Sequence, residues 1–179
     1  MANPIEVLKS WELNQAYNLN GSSKNEYEPI VYFYNPNIHP NEEYEIRKNE
    51  LEKYCLKQGY ELIIGDYDTE AWQSFISGLE NEPEKGLRCN RCFEFRLKET
   101  AKKALAMNIK CFTTTLTVSP HKISKNIFKV GNEIAKEKGL EFIEFDFKKN
   151  NGFLKTMELA KKNNFYRQKY CGCLYSIRK

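Results

Sequence analysis

The sequence predicts an α/β fold with an open, mostly parallel sheet and helices on both faces. Short apolar stretches typical of strands alternate with longer stretches of helical periodicity through the middle and end of the chain. The apolar run from Pro29 to Tyr34 indicates a strand covered on both faces, as in parallel sheets. Because parallel strands need long crossovers, the intervening helices fit this arrangement. The length of 179 residues suits one domain.

The first half of this domain is predicted to hold two strands and two helices. In chain order they are a strand at 29–34, a helix at 41–58, a strand at 61–64 and a helix at 72–79. The first helix is rich in charge. Gly59 predicts its end, because glycine readily adopts the left-handed conformation that follows a helix.

The second half continues the alternation. It is predicted to contain a helix at 90–107, a strand at 111–118, a helix at 119–139, an edge strand at 141–146 and a helix at 153–162. Ser119 and Pro120 mark a helix start, because serine caps helices and proline suits the first helical position. Folds of this class bind ligands beyond the carboxyl ends of their strands. We therefore expect residues 35–37, 66–68 and 113–119 at that edge.

The charge of the chain is unevenly distributed. Residues 1–87 hold 7 Lys and Arg against 16 Asp and Glu, a net charge of −9, whereas residues 88–179 hold 21 against 8, a net charge of +13. A basic half favours contact with a phosphate backbone, and a solvated lysine surface is the alternative. We see no apolar run of about 18 residues and no secretory signal, and therefore expect a cytoplasmic protein without a membrane partner.

Four of the six cysteines form two close pairs. Cys89 and Cys92 lie at the first turn of the helix predicted at 90–107, and Cys171 and Cys173 flank a glycine near the C-terminus. Clustered thiols in a reducing compartment indicate metal or redox chemistry. An iron–sulfur cluster, a structural zinc site and a thioredoxin-like dithiol are the candidate interpretations, and the dithiol leaves the second pair unexplained.

Other side chains give weaker signals. Cys55 and Cys111 stand alone among core-like residues and are predicted to be small buried side chains. His121 is predicted in the first turn of a helix, where it could meet a phosphate or cap the helix. Arg167 and Gln168 precede the second cysteine pair and could hold a phosphate or stack on a base, or pack a C-terminal helix.

Five motifs occur together in the chain. They are Tyr32–Pro40 (YFYNPNIHP), Arg88–Phe93 (RCNRCF), Phe112–Lys122 (FTTTLTVSPHK), Asn151–Phe153 (NGF) and Tyr166–Ser176 (YRQKYCGCLYS). From about Tyr27 to its end, the sequence resembles the QueH-type epoxyqueuosine reductases.

The resemblance implies a Rossmann-like fold of the adenine nucleotide alpha-hydrolase type with a C-terminal helical cysteine tail. It implies reduction of epoxyqueuosine to queuosine in tRNA, with an external electron donor. It also implies a [4Fe–4S] cluster and a second metal, expected to be iron, beside it. The matching metal ligands are Cys89, Cys92, Cys171 and Cys173, and the substrate-binding candidates are His121, Lys122, Arg167 and Gln168.

The N-terminal part departs from the family pattern. Family members usually open with a strand that ends in a Cys-Cys motif, whereas no cysteine precedes Cys55 here. We therefore expect an atypical segment at 1–28 and a single α/β metal-binding reductase domain at 29–179. Four thiols suffice for one cluster, so either one metal is lost or ligands of another type replace the absent sulfurs. The alternatives to an active reductase are a zinc-stabilised RNA-binding module and an inactive truncated member of the family.

Overall fold

The computed structural model describes residues 29–177, so the segment expected at 1–28 lies outside the described part. Five α-helices and four short strands alternate along these residues. In chain order, they are β1 (Val31–Phe33), α1 (Asn41–Gln58), β2 (Leu62–Ile64), α2 (Thr69–Phe75), α3 (Leu87–Ala106), β3 (Cys111–Phe112), α4 (Ser124–Lys138), β4 (Glu141–Phe142) and α5 (Gly152–Lys162). The α/β class predicted from the sequence is confirmed.

The strands pair in parallel, as the sequence predicted. β1 pairs with β2, with Val31 opposite Leu62, and α1 forms the crossover between them. β3 pairs with β4, with Cys111 opposite Glu141, and α4 lies in that crossover. Within residues 29–177 the ladders form two separate two-stranded sheets.

Strand β3 is much shorter than the predicted strand at 111–118, which is wrong beyond Phe112. Beyond Phe112, threonine side chains make the hydrogen bonds to the segment that follows β4. The hydroxyl of Thr113 donates to the carbonyl of Ile143 at 2.7 Å, and that of Thr117 donates to the carbonyl of Phe145 at 2.6 Å. Side-chain bonds of this kind compete with a backbone ladder. The chain turns instead into a 3₁₀ helix at Thr115–Val118, and β4 is correspondingly shorter than the strand predicted at 141–146.

The helix predicted from Ser119 begins five residues later, at Ser124. The Ser119 side chain does cap a turn, because its Oγ accepts a hydrogen bond from the backbone N–H of His121 at 3.3 Å. A serine turn is therefore what the motif forms, and the prediction of His121 in the first turn of a helix is wrong.

The other helices confirm the sequence pattern more closely. α1 ends at Gly59, whose φ of 74° is left-handed as predicted. The helix predicted at 72–79 runs instead from Thr69 to Phe75, so that both its ends are wrong; it begins earlier because the Asp68 side chain accepts a hydrogen bond from Ala71 N at 2.9 Å. None of the helices within 29–177 is long and apolar enough to cross a bilayer.

The main core lies between α3, α4 and the β3–β4 pair. Its buried members are Cys89, Phe93, Leu97, Ala101, Phe112, Ile127, Ile134, Ala135 and Phe142. Cys55 lies in a separate cluster with Tyr54 and is 1% exposed, which confirms its predicted burial. Cys111 is only half-buried, so the prediction that its side chain is buried is wrong.

The chain after α5 is irregular. Residues 163–173 lie outside helices and strands, and a single 3₁₀ turn follows at Leu174–Ser176. The expectation of a helical cysteine tail is therefore wrong. Gly172, with a φ of 100°, adopts a conformation that a helix cannot include. We call residues 163–177 the cysteine tail.

Candidate metal centre

The cysteine tail brings its two thiols to the beginning of α3. Cys173 is buried with Trp72 and Ile76 of the α2 region, and Cys92 and Cys171 pack against the same cluster. Cys89 lies nearly one helical turn before Cys92, is 9% exposed, and is close enough for its charge to act on Cys92. The structure therefore gathers the four predicted ligands from two elements far apart in sequence.

The local sequence fixes how α3 begins. The buried guanidinium of Arg88 donates through Nη1 to the carbonyls of Glu80, at 2.8 Å, and Glu82. These bonds tie the preceding loop to the first turn of the helix. The backbone N–H of Lys85 donates to Cys89 Sγ at 3.3 Å. An N-terminal helix turn carries partial positive charge, which favours thiolates at this point.

The pKa values of the two tail thiols are shifted in opposite directions. A hydrogen bond from Cys173 outweighs the effect of burial and, with help from the Lys122 charge, lowers the pKa of Cys171 to about 5. Its Sγ also lies 3.0 Å from Ser176 Oγ. The same bond to Cys171, together with burial, raises the pKa of Cys173 far above its usual range. The hydrogen bond from Cys173 therefore favours the thiolate form of Cys171 and the protonated form of Cys173.

Cys92 lies between a cation and an indole N–H. Burial raises the pKa of its thiol, whereas Arg96 and the N–H of Trp72 act in the opposite direction. Trp72 is 0% exposed, and its Nε1 has no hydrogen-bond acceptor at normal geometry in the described chain. Metal binding would hold Cys92 as a thiolate, whose sulfur is a suitable acceptor for this N–H.

The donor set fits a soft metal or a cluster, although the side chains are not yet arranged as ligands. Four thiols are the usual ligands of zinc and of iron–sulfur clusters. Among residues 29–177, however, no three Cys, His, Asp or Glu side chains are grouped closely enough to hold a metal ion. The buried Trp72 N–H at Cys92 and the convergence of the thiols support the fit, and ligation requires the sulfurs to draw together.

Lys122 is the substrate-binding candidate that the structure places at the cysteines. Its charge lowers the pKa of Cys171, after the larger effect of Cys173, and its Nζ lies 5.8 Å from the centre of the Phe93 ring. Neighbouring His121 is exposed.

The two other candidates lie on the cysteine tail. Arg167 is exposed, and its Nη2 contacts the sulfur of Met157 on α5 at 4.0 Å. Gln168 is half-buried.

Sequence reasoning missed the side chains that hold the site together. Arg96 donates to the carbonyl of Tyr34 at 3.3 Å and to the side chain of Asn35, which joins α3 to the end of β1. Its spacing of four residues from Cys92 placed both on one helix face and could have revealed it. Trp72 had no comparable signal, because an isolated tryptophan predicts only burial.

The comparisons with known proteins agree on one family. A model of the epoxyqueuosine reductase QueH family matches residues 14–179. The chain is 40% identical over 149 residues to epoxyqueuosine reductase QueH of Acinetobacter baylyi, a match that covers 83% of this chain and 68% of the relative. It is 39% identical over 154 residues to the protein of that name from Streptococcus pyogenes (83% and 60%), and 34% identical over 149 residues to the one from Thermotoga maritima (82% and 78%).

The matched region thus spans about three fifths to two thirds of the first two of these relatives. Identity of this level over most of the chain is accompanied by a family match across nearly its whole length. This chain belongs to the epoxyqueuosine reductase QueH family.

Proposed function

We propose that this chain reduces epoxyqueuosine to queuosine in tRNA. Family membership supports the reaction, since the relatives are named epoxyqueuosine reductases. The observation that carries the proposal for this chain is the meeting of Cys92, Cys171 and Cys173 in one buried cluster, with Cys89 beside them.

The proposed architecture is a Rossmann-like sheet of the adenine nucleotide alpha-hydrolase type. Two parallel pairs with helical crossovers support it, because parallel strands are normally covered by helices on both faces. The position of the cysteine site also fits this type of sheet. Arg96 links it to Tyr34 and Asn35, which come directly after β1, where open α/β folds bind their ligands.

We assign Cys89, Cys92, Cys171 and Cys173 as ligands of a [4Fe–4S] cluster; a second iron beside it would need ligands other than these four thiols. When bound, these groups supply single electrons from an external donor and a Lewis acid for the epoxide oxygen. The chain's own residues prepare the site. The thiolate form of Cys171 is favoured by the hydrogen bond from Cys173, and the Trp72 N–H lies at Cys92, whose sulfur would carry negative charge when bound to metal.

The overall reaction consumes two electrons and two protons and releases the epoxide oxygen as water. Burial with Trp72 and Ile76 shields the Cys173 thiol from water, whereas Cys92 and Cys171 are half-buried. The cations of Lys122 and Arg96 stabilise negative charge on the thiolates.

The proposed substrate contacts are His121, Lys122, Arg167 and Gln168. Lys122 lies at the thiols, and the exposed side chains of His121 and Arg167 are free to meet a phosphate or a base. The net charge of +13 on residues 88–179 supports an RNA partner. Binding through these groups would weaken as the salt concentration rises.

The test is conversion of epoxyqueuosine in tRNA by anaerobically purified protein, followed by mass spectrometry of the nucleosides. We expect Cys92→Ala and Cys171→Ala to lose more than about 100-fold in rate, because each removes a ligand. Cys111→Ala, which changes a half-buried thiol outside the cluster, should retain activity. Full activity in the ligand variants would refute the assignment. Bound zinc with salt-sensitive RNA binding, and no turnover, would favour the RNA-binding module instead.

A further inference from the structure

A buried ion pair on α1 lies against the cysteine tail. Glu43 and Arg47 are four residues apart, and Arg47 Nη2 lies 2.7 Å from Glu43 Oε1. Glu43 is 7% exposed. Burial of two charges costs desolvation free energy, which the pair recovers only when its other donors and lone pairs are satisfied. In this protein, the partners for those donors and lone pairs are backbone carbonyls and a tyrosine hydroxyl of the cysteine tail.

Arg47 holds the backbone around Cys171. Its Nη1 donates to the carbonyl of Cys171 at 3.3 Å, and its Nη2 donates to the carbonyl of Tyr170 at 3.1 Å. The next carbonyl, that of Gly172, accepts from the backbone N–H of His39 at 2.8 Å. Three successive peptide carbonyls are therefore fixed, and with them the directions in which the Cys171 and Cys173 side chains leave the backbone.

Glu43 holds the other end of the same segment. Its Oε2 accepts a hydrogen bond from the Tyr166 hydroxyl at 2.6 Å, while the Tyr166 backbone N–H donates to the carboxylate of Glu50. Residues 166–173 lie outside helices and strands. Side-chain contacts with α1 consequently set the path of this segment at both ends.

We propose that the Glu43–Arg47 pair is a positioning device for the thiols of Cys171 and Cys173. This proposal rests on the proposed function, because positioned thiols matter only if they bind metal. Whether the pair fixes the two thiols can nevertheless be tested in metal-free protein. Arginine is suited to it because a planar fork can bond a carboxylate and two carbonyls together, whereas a lysine ammonium acts as a point charge.

The experiment measures alkylation of each cysteine by iodoacetamide in reduced, metal-free protein, with peptide mapping by mass spectrometry. Arg47→Lys keeps the positive charge, so that a change in rate reports geometry. We expect Cys171 and Cys173 to react more than about tenfold faster in this variant, since charge-assisted hydrogen bonds to the tail are lost. The matched control is Lys48→Met, which removes an ion pair within α1, to Glu45 at 2.7 Å, and should leave the rates unchanged.

Cys55, on the same helix as Arg47, serves as an internal reference, because it is 1% exposed in a separate cluster and its labelling reports opening of that cluster. The double variant Glu43→Gln/Arg47→Met removes both charges, so that no unpaired charge is left buried, and should also expose the tail thiols. Wild-type rates at Cys171 in Arg47→Lys and in the double variant, with Cys55 protected, would overturn the proposal.

The result separates this proposal from the proposed function. Faster labelling of Cys171 in a protein that takes up no iron would support positioning and refute the cluster. Iron uptake and labelling equal to wild type in the Arg47 variants would refute positioning and leave the cluster assignment intact.

Discussion

The carbonyl oxygen of Gly172 accepts a hydrogen bond from the backbone N–H of His39 at 2.8 Å. This bond joins the glycine between the two tail cysteines to the turn that follows β1. The contact is close, because a Cβ on Gly172 would lie 2.8 Å from Ile38 Cγ1. Glycine is required here for its φ of 100° and for the missing side chain.

Gly172→Ala should therefore displace the tail and destabilise the protein by about 2–4 kcal/mol, through backbone strain and overpacking. The matched control is Gly59→Ala, which has a positive φ of 74° but no atom within 4 Å of the added Cβ. Its cost should be limited to the strain, about 1 kcal/mol. Urea unfolding measures both, and equal costs would show that the contact with Ile38 is unimportant.

Thr117→Val should destabilise the protein, although valine and threonine have nearly the same shape. Thr117 is 0% exposed, and its hydroxyl donates to the carbonyl of Phe145 and accepts from the N–H of Phe147 at 3.3 Å. Valine removes both hydrogen bonds, at a cost of about 2–4 kcal/mol. Thr113→Val loses one bond, to Ile143, at a half-buried position and should cost about 1 kcal/mol. A smaller loss at Thr117 than at Thr113 in urea unfolding would contradict this account of the short β3.

The stability of the folded protein should depend on Tyr166 at alkaline pH. Its hydrogen bond to Glu43, with burial, raises the pKa of Tyr166 from 10.0 to about 12. Because the folded-state pKa is the higher one, this group stabilises the folded protein fully below pH 10 and loses that effect as the pH rises through 12. Stability measured by urea unfolding should fall in this window, and Tyr166→Phe should fall less steeply. Identical profiles for the two proteins would show that the bond contributes nothing.

Trp72→Phe should change the thiol that the indole N–H faces. Loss of the N–H removes an influence that lowers the pKa of Cys92, so alkylation of Cys92 in metal-free protein should require higher pH. The truncation itself should cost about 1–3 kcal/mol. Ile76→Val, at a 0% exposed neighbour, is the control for lost packing. A Cys92 profile that shifts equally in both variants would mean that packing, not the N–H, is responsible.

The sequence predicted α1, α3 and α5 well, and α2, the start of α4 and the strand lengths poorly. Gly59 ends α1 because a left-handed residue is a local requirement that one residue type meets best. The strand predicted at 111–118 is wrong beyond Phe112 because its threonines have two alternatives. They can continue the backbone ladder, or their hydroxyls can bond the segment that follows β4. Which alternative prevails depends on where Ile143 and Phe145 lie, and that is a tertiary property.

The cysteines could be identified from their spacing, whereas the residues that position them could not. Arg47 and Cys171 are separated by 124 residues, and their contact exists only in the folded chain. A Glu–Arg spacing of four predicts a surface helix pair in most proteins. Burial of Glu43 and the tail carbonyls gives this pair a different role, and neither can be read from local sequence.

The central claim is that the thiols of α3 and of the cysteine tail hold one iron–sulfur cluster. The most direct measurement is the iron and acid-labile sulfide content of anaerobically purified protein, beside its visible spectrum. The account predicts a brown protein with about four iron and four sulfide per chain, and loss of both in Cys89→Ala and Cys173→Ala. Zinc without sulfide, or a cluster that survives both substitutions, would contradict it.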